Sequence, residues 1–492
     1  MRKARAFDAS WLHFETAGAP LHVASMPIFR RPDGVDANAF FKSFKQMMVA
    51  KRHYVDAYTL KRKNVAAWLD HPVWVRDTDI DMNYHVRRIT LPRPTIEALE
   101  IVAQSLTAMP MDLDRPLWQY TVIDGLADDQ FAIFMKMHHS VIDGQSGAAI
   151  LQDVFDASPE IRPIEPALPD FADDPEPSQL SLLSGSLENV IRQQFNLASR
   201  TSDFLEASQS ALSILQKSLL GQSGVRLSAP PTPFNGSISE RRCYKMGFMD
   251  LEEAKAVKSL AGATLNDVIL SVTGGALRRY LDERGALPAE ALIAAVPISV
   301  RKPGEDTKMG AQLSMMMCGL GTHINDPVER LLAVHANAEE GKAITQSMQP
   351  ALTDDYALLG APIAMRAAAE LWGATGLADM ANRWGLLPYN LVVSNVTGPR
   401  RKLYLNGAEM LHYHPVSVVA HGQGLNITVQ SYSGSLALGM LSCRELMPDL
   451  ERLMTFFKVE FDSLKEHVAG RTETKLEEVK SITKANTGAI AA

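Results

Sequence analysis

A proline-rich break at residues 159–177 separates two long stretches of sequence, each of which alternates short apolar segments with amphipathic ones. This break holds six prolines and several acidic residues, and such a composition interrupts helices and strands alike, which predicts a linker. A second cluster of three prolines lies at 228–233, and the segment 180–220 between them has apolar residues at helical spacing. Because 492 residues exceed what one hydrophobic core ordinarily supports, we predict two domains joined by a helical bridge.

The predicted domain limits follow from these breaks. Residues 1–158 form an N-terminal domain, residues 159–233 form a linker and bridging helical region, and residues 234–470 form a C-terminal domain. The last segment, 471–492, loses its apolar period and is predicted to be a flexible tail. Both domains alternate strand-like and helix-like patterns, so we predict two α/β halves joined by the bridging segment.

The pattern of elements is clearest around one hairpin and one long helix. Residues 117–124 and 131–139 are rich in apolar side chains and flank the turn 125–129, which predicts a β-hairpin. Residues 264–281 carry an apolar face at helical spacing and predict a helix. The other predicted elements are helices at 40–49, 95–106, 148–154, 249–260 and 331–344, and strands at 292–300, 390–396, 424–432 and 436–442.

Charge and cysteine content exclude several classes of protein. The formal net charge is -7, so the chain has no basic field with which to hold nucleic acid. The three cysteines, Cys243, Cys318 and Cys443, are widely separated and form neither a disulfide framework nor a thiolate zinc site. The sequence shows no apolar signal-peptide core and no stretch near the roughly 18 apolar residues that a transmembrane helix needs. We therefore predict a cytoplasmic protein, with the inner face of a membrane or a lipid-droplet surface as a candidate partner.

The predicted hairpin ends in a histidine pair that can carry chemistry. His138 and His139 are followed by the turn signal Asp143-Gly144. The ordinary pKa of histidine lies near neutrality, so its ring can take a proton from an attacking hydroxyl group. Consecutive side chains of a strand point to opposite faces, so one histidine can face a cleft while the other bonds within its own domain. Asp143 is predicted to organise the local backbone, and Gly144 to permit the turn.

Residue types alone leave two other interpretations of this pair open. A histidine at the end of a strand is commonly a structural residue. A metal site is the other option, because histidine and aspartate are both metal ligands. Zinc, however, wants a third protein ligand, and the sequence offers no HExxH or similar spacing. We therefore predict that no metal is bound.

The seven residues 138–144 match the HHxxxDG motif of the CoA-dependent acyltransferase superfamily, to which chloramphenicol acetyltransferase and peptide-synthetase condensation domains belong. Further segments resemble, in the same order, those of the bacterial wax ester synthase/diacylglycerol acyltransferase family, and together they cover nearly the whole chain. These segments are DASW at 8–11, PLHV at 20–23, YHVR at 84–87, LPRP at 91–94, RPLW at 115–118, NDV at 266–268 and SNVTGP at 394–399. The chain departs from the family at Thr397, where proline is usual, and at 309–311, where a Gly-Asn pair is common.

The resemblance implies a two-domain chloramphenicol-acetyltransferase-like α/β fold, with a mixed sheet and flanking helices in each half. An active-site tunnel would lie between the halves. It also implies an O-acyltransferase that moves a fatty acyl group from acyl-CoA to an acceptor hydroxyl. A long-chain alcohol as acceptor would give a wax ester, and diacylglycerol would give a triacylglycerol. Acyl-CoA is then a co-substrate, and no cofactor is implied.

The same resemblance assigns roles to individual residues. His139 corresponds to the general base, and His138 is a supporting residue. Asn266 is the candidate donor to the oxyanion of the reaction, although a helix N-cap is an equally good interpretation of an asparagine there. The implied tunnel wall consists of Pro116, Leu117 and Trp118, for which core packing is the alternative.

Two rival functions stay open from the sequence. An acyltransferase of this fold could serve a different acceptor, which could be another alcohol or an amine. A condensation-type enzyme uses an amine, but it would normally sit beside carrier domains, and none fits in this chain. A non-catalytic lipid-binding protein of the same fold is the second rival. That rival gains little, because His139, Asp143 and Asn266 are all present.

Overall fold

The computed structural model describes residues 2–142, 150–151, 153–165, 176–186, 228–299, 313–348 and 362–471. These residues form two six-stranded mixed sheets with flanking helices and one smaller sheet of three strands. The predicted α/β class, with a mixed sheet in each half, is confirmed.

The helices cover the outer faces of the sheets. Those of the described residues are α1 (Ala6–Phe14), α2 (Ala37–Lys51), α3 (Met82–His85), α4 (Ile96–Ala108), α5 (Leu251–Ala261), α6 (Leu265–Asp282), α7 (Pro327–Met348), α8 (Pro362–Ala374), α9 (Leu377–Arg383) and α10 (Leu450–Gly470).

The strands form both parallel and antiparallel pairs. They are β1 (Arg2–Lys3), β2 (His22–Arg30), β3 (Leu60–Lys63), β4 (Val73–Arg76), β5 (Val86–Thr90), β6 (Trp118–Asp124), β7 (Gln130–His138), β8 (Arg242–Asp250), β9 (Ile293–Ser299), β10 (Leu313–Gly319), β11 (Leu391–Val396), β12 (Tyr404–Leu405), β13 (Ala408–Val416), β14 (Leu425–Tyr432) and β15 (Ser435–Cys443).

The N-terminal sheet has the strand order β12-β13-β2-β7-β6-β5. Strand β7 lies at its centre, antiparallel to β2 and β6, and almost all of its residues are buried, as expected for a strand covered on both faces. Strands β12 and β13 come from the C-terminal half of the sequence, yet they extend this sheet beside β2. The two halves are therefore joined by backbone hydrogen bonds, while the predicted domain limits stay a prediction.

The C-terminal sheet has the order β10-β9-β11-β14-β15-β8 and packs its largest hydrophobic core against α5, α6, α7 and α10. Helix α6 lies in the middle of that core, and most of its residues are buried. It begins with a capping box, in which the Thr264 hydroxyl accepts from the Asp267 amide and the Asp267 carboxylate accepts from the Thr264 amide. This cap fixes the first turn of the helix, where Asn266 lies.

The two sheets approach each other most closely where β13 meets β15. The Tyr244 hydroxyl donates to the carbonyl oxygen of Pro415 over 3.0 Å. A Cβ atom on Gly439 would lie only 1.9 Å from the same oxygen, so only glycine fits at this contact. This close backbone approach sets the spacing between the halves.

The elements predicted from the sequence are largely found. Strands β6 and β7 form the predicted hairpin, but β7 ends at His138, because His139 opens a short 3₁₀ helix, His139–Val141. The helix predicted at 264–281 is α6, and the one predicted at 331–344 is part of the longer α7.

Several predictions lie outside the described residues. They concern Asp143 and Gly144, residues 148, 149 and 152 of the helix 148–154, the central part of the linker, the bridge from 187 to 220, the departure at 309–311 and the tail from 472.

In the described part of the chain, no single helix is both long and apolar enough to span a bilayer. The bent pair Leu251–Ala261 and Leu265–Asp282 meets the criterion by length and composition, with an angle of 98° between its members.

Candidate active site

The histidine pair is held by main-chain hydrogen bonds from two sides. The His138 amide donates to the Leu117 carbonyl oxygen over 3.0 Å, and the His139 amide donates to the Leu21 carbonyl oxygen over 3.0 Å. His138 is the last residue of the central strand β7 and pairs with His22 on β2. The chain turns into the 3₁₀ helix directly afterwards, so the two neighbouring rings occupy different surroundings.

The His139 ring stacks on an aromatic partner that comes from α1. Its centroid lies 3.8 Å from that of Trp11, and the two planes differ by 11°. Part of the His139 surface stays accessible, as a residue that meets a substrate requires. Protein nevertheless surrounds the ring, and this desolvation is the main cause that lowers the pKa of His139 to about 4. The imidazole is therefore neutral at pH 7 and can accept a proton.

A neutral imidazole has one ring nitrogen that carries the proton and one that carries a lone pair. The backbone of His139 itself opposes the lowering of the pKa of this ring. No other described residue forms a hydrogen bond with the ring, so its unprotonated nitrogen can act as a base.

The His138 ring is fully buried and bonded at both nitrogens. Its Nε2 lies 2.6 Å from Oε2 of Glu15, the residue that ends α1. Its Nδ1 lies 2.7 Å from the Ser140 hydroxyl and accepts from the Ser140 amide over 3.1 Å. Because Nδ1 accepts from that amide, the ring proton is on Nε2 and is donated to the Glu15 carboxylate. The ring thereby ties the turn that carries His139 to α1.

A buried lysine accompanies this carboxylate. Lys136 lies two residues before His138 on β7, so the two side chains share one face of the sheet. Its ammonium group donates to the carbonyl oxygens of Leu106 and Met109 over 3.0 and 2.9 Å. Burial lowers the pKa of Lys136 to about 8, and the Glu15 charge acts against that lowering. The positive charge of Lys136 thus faces the same buried region as Glu15.

Glu15 and Trp11 are the site residues for which the sequence predicted no role. Trp11 belongs to the DASW segment at the start of the chain, and Glu15 follows four residues later. Trp11 Nε1 is a buried donor with no hydrogen-bond acceptor among the described residues, which leaves it available to a ligand. The only sequence signal for either residue is its place within that opening segment.

An apolar cavity of ≈ 470 Å³ lies next to the histidine turn. Trp11 and Leu21, which both contact His139, form part of its wall, and α8 supplies the opposite side. Its volume falls within the range of small-molecule sites in proteins. The described residues that line it are Phe7, Ser10, Trp11, Phe14, Ala19, Leu21, Ala368, Ala369, Trp372, Ala420 and His421.

The polar end of this cavity is His421. Its Nδ1 accepts from the Ile238 amide over 3.2 Å, so Nε2 carries the proton and faces the Thr16 hydroxyl at 3.1 Å. Burial lowers its pKa, which keeps the ring neutral at pH 7. The cavity therefore offers a hydrocarbon chain an uncharged surface.

Asn266 lies at the second position of α6, half-buried and without a side-chain hydrogen bond among the described residues. The interpretation of Asn266 as the N-cap is wrong, because Thr264 is the N-cap. The neighbouring Asp267 completes the capping box and accepts from His335 over 2.8 Å, which makes it structural. The role of Asn266 as the oxyanion donor stays a prediction.

The PLW residues are buried in the core next to the histidine strand. Trp118 is fully buried, donates through Nε1 to the Tyr58 carbonyl oxygen over 3.1 Å, and stacks on His85. Leu117 supplies the carbonyl oxygen that holds the His138 amide. Neither residue lines the cavity beside Trp11, and neither does Pro116. A wall role for these three residues would therefore concern a different part of the tunnel.

Among the described residues, no group of three or more His, Cys, Asp or Glu side chains is arranged to hold a metal ion. That no metal or cofactor takes part stays a prediction.

Comparison with protein families gives two matches that together cover most of the chain. Residues 5–269 match the wax ester synthase/diacylglycerol acyltransferase catalytic domain, and residues 309–465 match the C-terminal domain of the same proteins. A Mycobacterium tuberculosis protein that bears the name of a diacylglycerol O-acyltransferase is 34% identical over 468 residues, or 94% of this chain and 99% of the relative. A second protein of that organism, similarly named, is 32% identical over 468 residues, covering 94% and 98%.

Solved structures agree with these matches. The wax ester synthase/diacylglycerol acyltransferase from Marinobacter aquaeolei VT8 superposes with a TM-score of 0.67 and 26% identity, over 95% of this chain and 100% of the other. The first condensation domain of the calcium-dependent antibiotic synthetase superposes with a TM-score of 0.57 at 14% identity, over 95% and 96% of the two chains. The second likeness shows a shared fold, and it confirms the chloramphenicol-acetyltransferase-like architecture implied by the sequence.

Proposed function

Since the chain belongs to the wax ester synthase/diacylglycerol acyltransferase family and is an acyl-CoA-dependent acyltransferase, we propose that His139 is the general base that deprotonates the acceptor hydroxyl. The observation that carries this proposal is the neutral His139 ring, which stacks on Trp11 and forms no hydrogen bond with another described residue. We further propose that the acceptor is a long-chain alcohol or diacylglycerol, so that the product is a wax ester or a triacylglycerol.

The reaction balances with this one base. The His139 ring takes the hydroxyl proton while the acceptor oxygen attacks the thioester carbonyl carbon. The tetrahedral intermediate then collapses, its C–S bond breaks, and the departing CoA thiolate takes the proton back from the imidazolium. The Trp11 ring face stacked on His139 stabilises the transient positive charge. No covalent acyl-enzyme is required.

The oxyanion of the tetrahedral intermediate needs a hydrogen-bond donor, and such a donor typically contributes ~3–4 kcal/mol to lowering the barrier. Asn266 is the family-based candidate, and Trp11 Nε1 is a second one, because it is a buried donor without a described acceptor. Trp11 is favoured by its contact with His139.

The hydrocarbon part of a lipid substrate is assigned to the cavity beside Trp11. Its wall is apolar apart from Ser10 and His421, and the latter is neutral at pH 7. Each buried methylene group contributes ~0.8 kcal/mol, so a long chain gains binding energy that a short alcohol lacks. We place the enzyme in the cytoplasm, working at a lipid surface that supplies such acceptors.

The acceptor proposal is tested by a product profile. We expect the protein, offered palmitoyl-CoA with hexadecanol, dioleoylglycerol and hexadecylamine together, to release CoA and form esters in preference to the amide. Chromatography of the lipid products measures this directly. Exclusive formation of the amide, with no ester of hexadecanol or dioleoylglycerol, would contradict the acceptor proposal while leaving the family assignment intact.

A second prediction concerns the carboxylate behind His138. The Glu15→Gln variant keeps the size of the side chain but loses the charge-assisted hydrogen bond to His138, so the turn carrying His139 is held less firmly. We expect kcat to fall about ten-fold with KM for acyl-CoA little changed, since a bond to a charged group contributes ~1.5–3 kcal/mol. The matched control is Glu252→Gln, because Glu252 is an exposed residue. Equal kcat values for the two variants would show that Glu15 does not position the pair.

A further inference from the structure

One face of the molecule exposes an unusual number of large apolar side chains. They lie on α1, on α8 and around the end of α9. Trp384, Leu386 and Leu371 are 66%, 63% and 55% exposed. The apolar face, as we call it, consists of Phe7, Phe14, Ile363, Leu371, Trp384 and Leu386.

Helix α8 shows why this exposure is not that of an ordinary surface helix. It is 13 residues long and carries only two charged residues, Arg366 and Glu370. Its buried side consists of Pro362, Met365 and Ala369. A surface helix normally opposes such a side with polar residues, yet this one presents mainly isoleucine, leucine and alanines to solvent.

The elements of the apolar face are packed together. Helix α8 contacts both α1 and α9. Trp372, next to Leu371, donates through Nε1 to the His421 carbonyl oxygen over 3.0 Å, which fixes α8 against the cavity. The Leu386 amide donates to the Ala381 carbonyl oxygen over 2.8 Å, which holds the residues after α9. The exposed apolar side chains therefore stand on a rigid support.

The cavity beside Trp11 opens at this face. Phe7 and Phe14 line the cavity, and each is also about 40% exposed. Ala368, on the exposed side of α8, lines it as well. A hydrocarbon chain can thus pass from the apolar face into the cavity without crossing open water, and the cavity leads to Trp11 and His139.

We propose that the apolar face docks on a lipid surface and receives the lipid acceptor from it, an inference that rests on the proposed function. An acceptor such as diacylglycerol resides in a lipid phase, and aromatic residues such as Trp384 favour the boundary between lipid and water. The net charge of -7 gives no general attraction to anionic lipids, so insertion of apolar side chains drives the binding. Binding is therefore insensitive to salt.

The test uses phosphatidylcholine vesicles that contain diacylglycerol, in a flotation assay with the full chain. The variant Leu371→Asp/Trp384→Asp places two charges on the apolar face without touching the cavity wall. We expect about ten-fold or greater loss of vesicle binding. The two apolar side chains that would insert into the lipid are replaced by charged groups, which resist desolvation. Added salt should leave the binding of the parent protein unchanged.

Leu260→Asp is the matched control, since Leu260 on α5 is 55% exposed, as is Leu371. It should bind vesicles as the parent does. Turnover of hexadecanol delivered on cyclodextrin, without a lipid surface, should be the same for all three proteins. Absence of hexadecanol turnover by the parent protein would contradict the proposed function. The docking proposal would be overturned if the double variant bound vesicles as the parent does, or if the control lost binding equally. It would also be overturned if the parent protein were a dimer and the double variant a monomer.

Discussion

Replacing Gly439 with alanine is expected to lower the free energy of unfolding by about 3 kcal/mol, the upper part of the range for an overpacked site. The new Cβ would lie 1.9 Å from the Pro415 carbonyl oxygen. The Cβ would be attached to the backbone of β15, and the oxygen belongs to the backbone of β13. Each of these strands is held by pairing within its own sheet, so neither can move aside as a flexible side chain would. Relief requires the two sheets to separate locally.

The hydrogen bond at the same carbonyl adds to this effect. Tyr244 is buried and donates to the Pro415 oxygen, so separation of the sheets leaves a buried hydroxyl without its acceptor. The midpoint of urea denaturation measures the loss. Gly470→Ala is the control, because nothing lies within 4 Å of a Cβ there and alanine is the better helix former. Equal midpoints for the two variants would contradict the close approach.

The Gly439 contact matters for function because the site combines both halves of the chain. The cavity wall draws on α1 from the first half and on α8 from the second. A change in the spacing of the sheets alters the width of that cavity, so the destabilised variant should also lose selectivity for long acceptors.

Local patterns in the sequence were enough to predict the element that carries the chemistry. Apolar residues on both sides of a turn predicted the hairpin of β6 and β7, since alternation along a strand is a property of neighbouring residues. The paired histidines at its end were visible for the same reason. The limit of β7 was missed by one residue, because the bond from the His139 amide to Leu21 is a tertiary contact.

The partners of the histidines could not be predicted, because they depend on packing. Glu15 lies 123 residues before His138, and only the docking of α1 beneath β7 brings them together. Trp11 stacks on His139 for the same reason. The crossing of β13 into the N-terminal sheet is likewise a pairing between distant segments, which periodicity cannot reveal.

Removing the His139 ring is expected to cause the largest loss of activity of any single substitution. General-base catalysis by a positioned side chain contributes about 10²–10⁴-fold, so kcat of the His139→Ala variant should fall by that factor. The His139→Gln variant keeps a polar side chain but cannot take a proton at neutral pH, and it should lose as much. His467→Ala, at an exposed position on α10, should retain full activity.

The proposed role of His139, removal of the acceptor proton, is tested most directly by the rate of CoA release from palmitoyl-CoA and hexadecanol by folded His139→Ala. Circular dichroism and the denaturation midpoint establish that the variant is folded. We expect a fall in kcat of at least about 100-fold, with KM for palmitoyl-CoA unchanged. Turnover at the parent rate by the folded variant would contradict it.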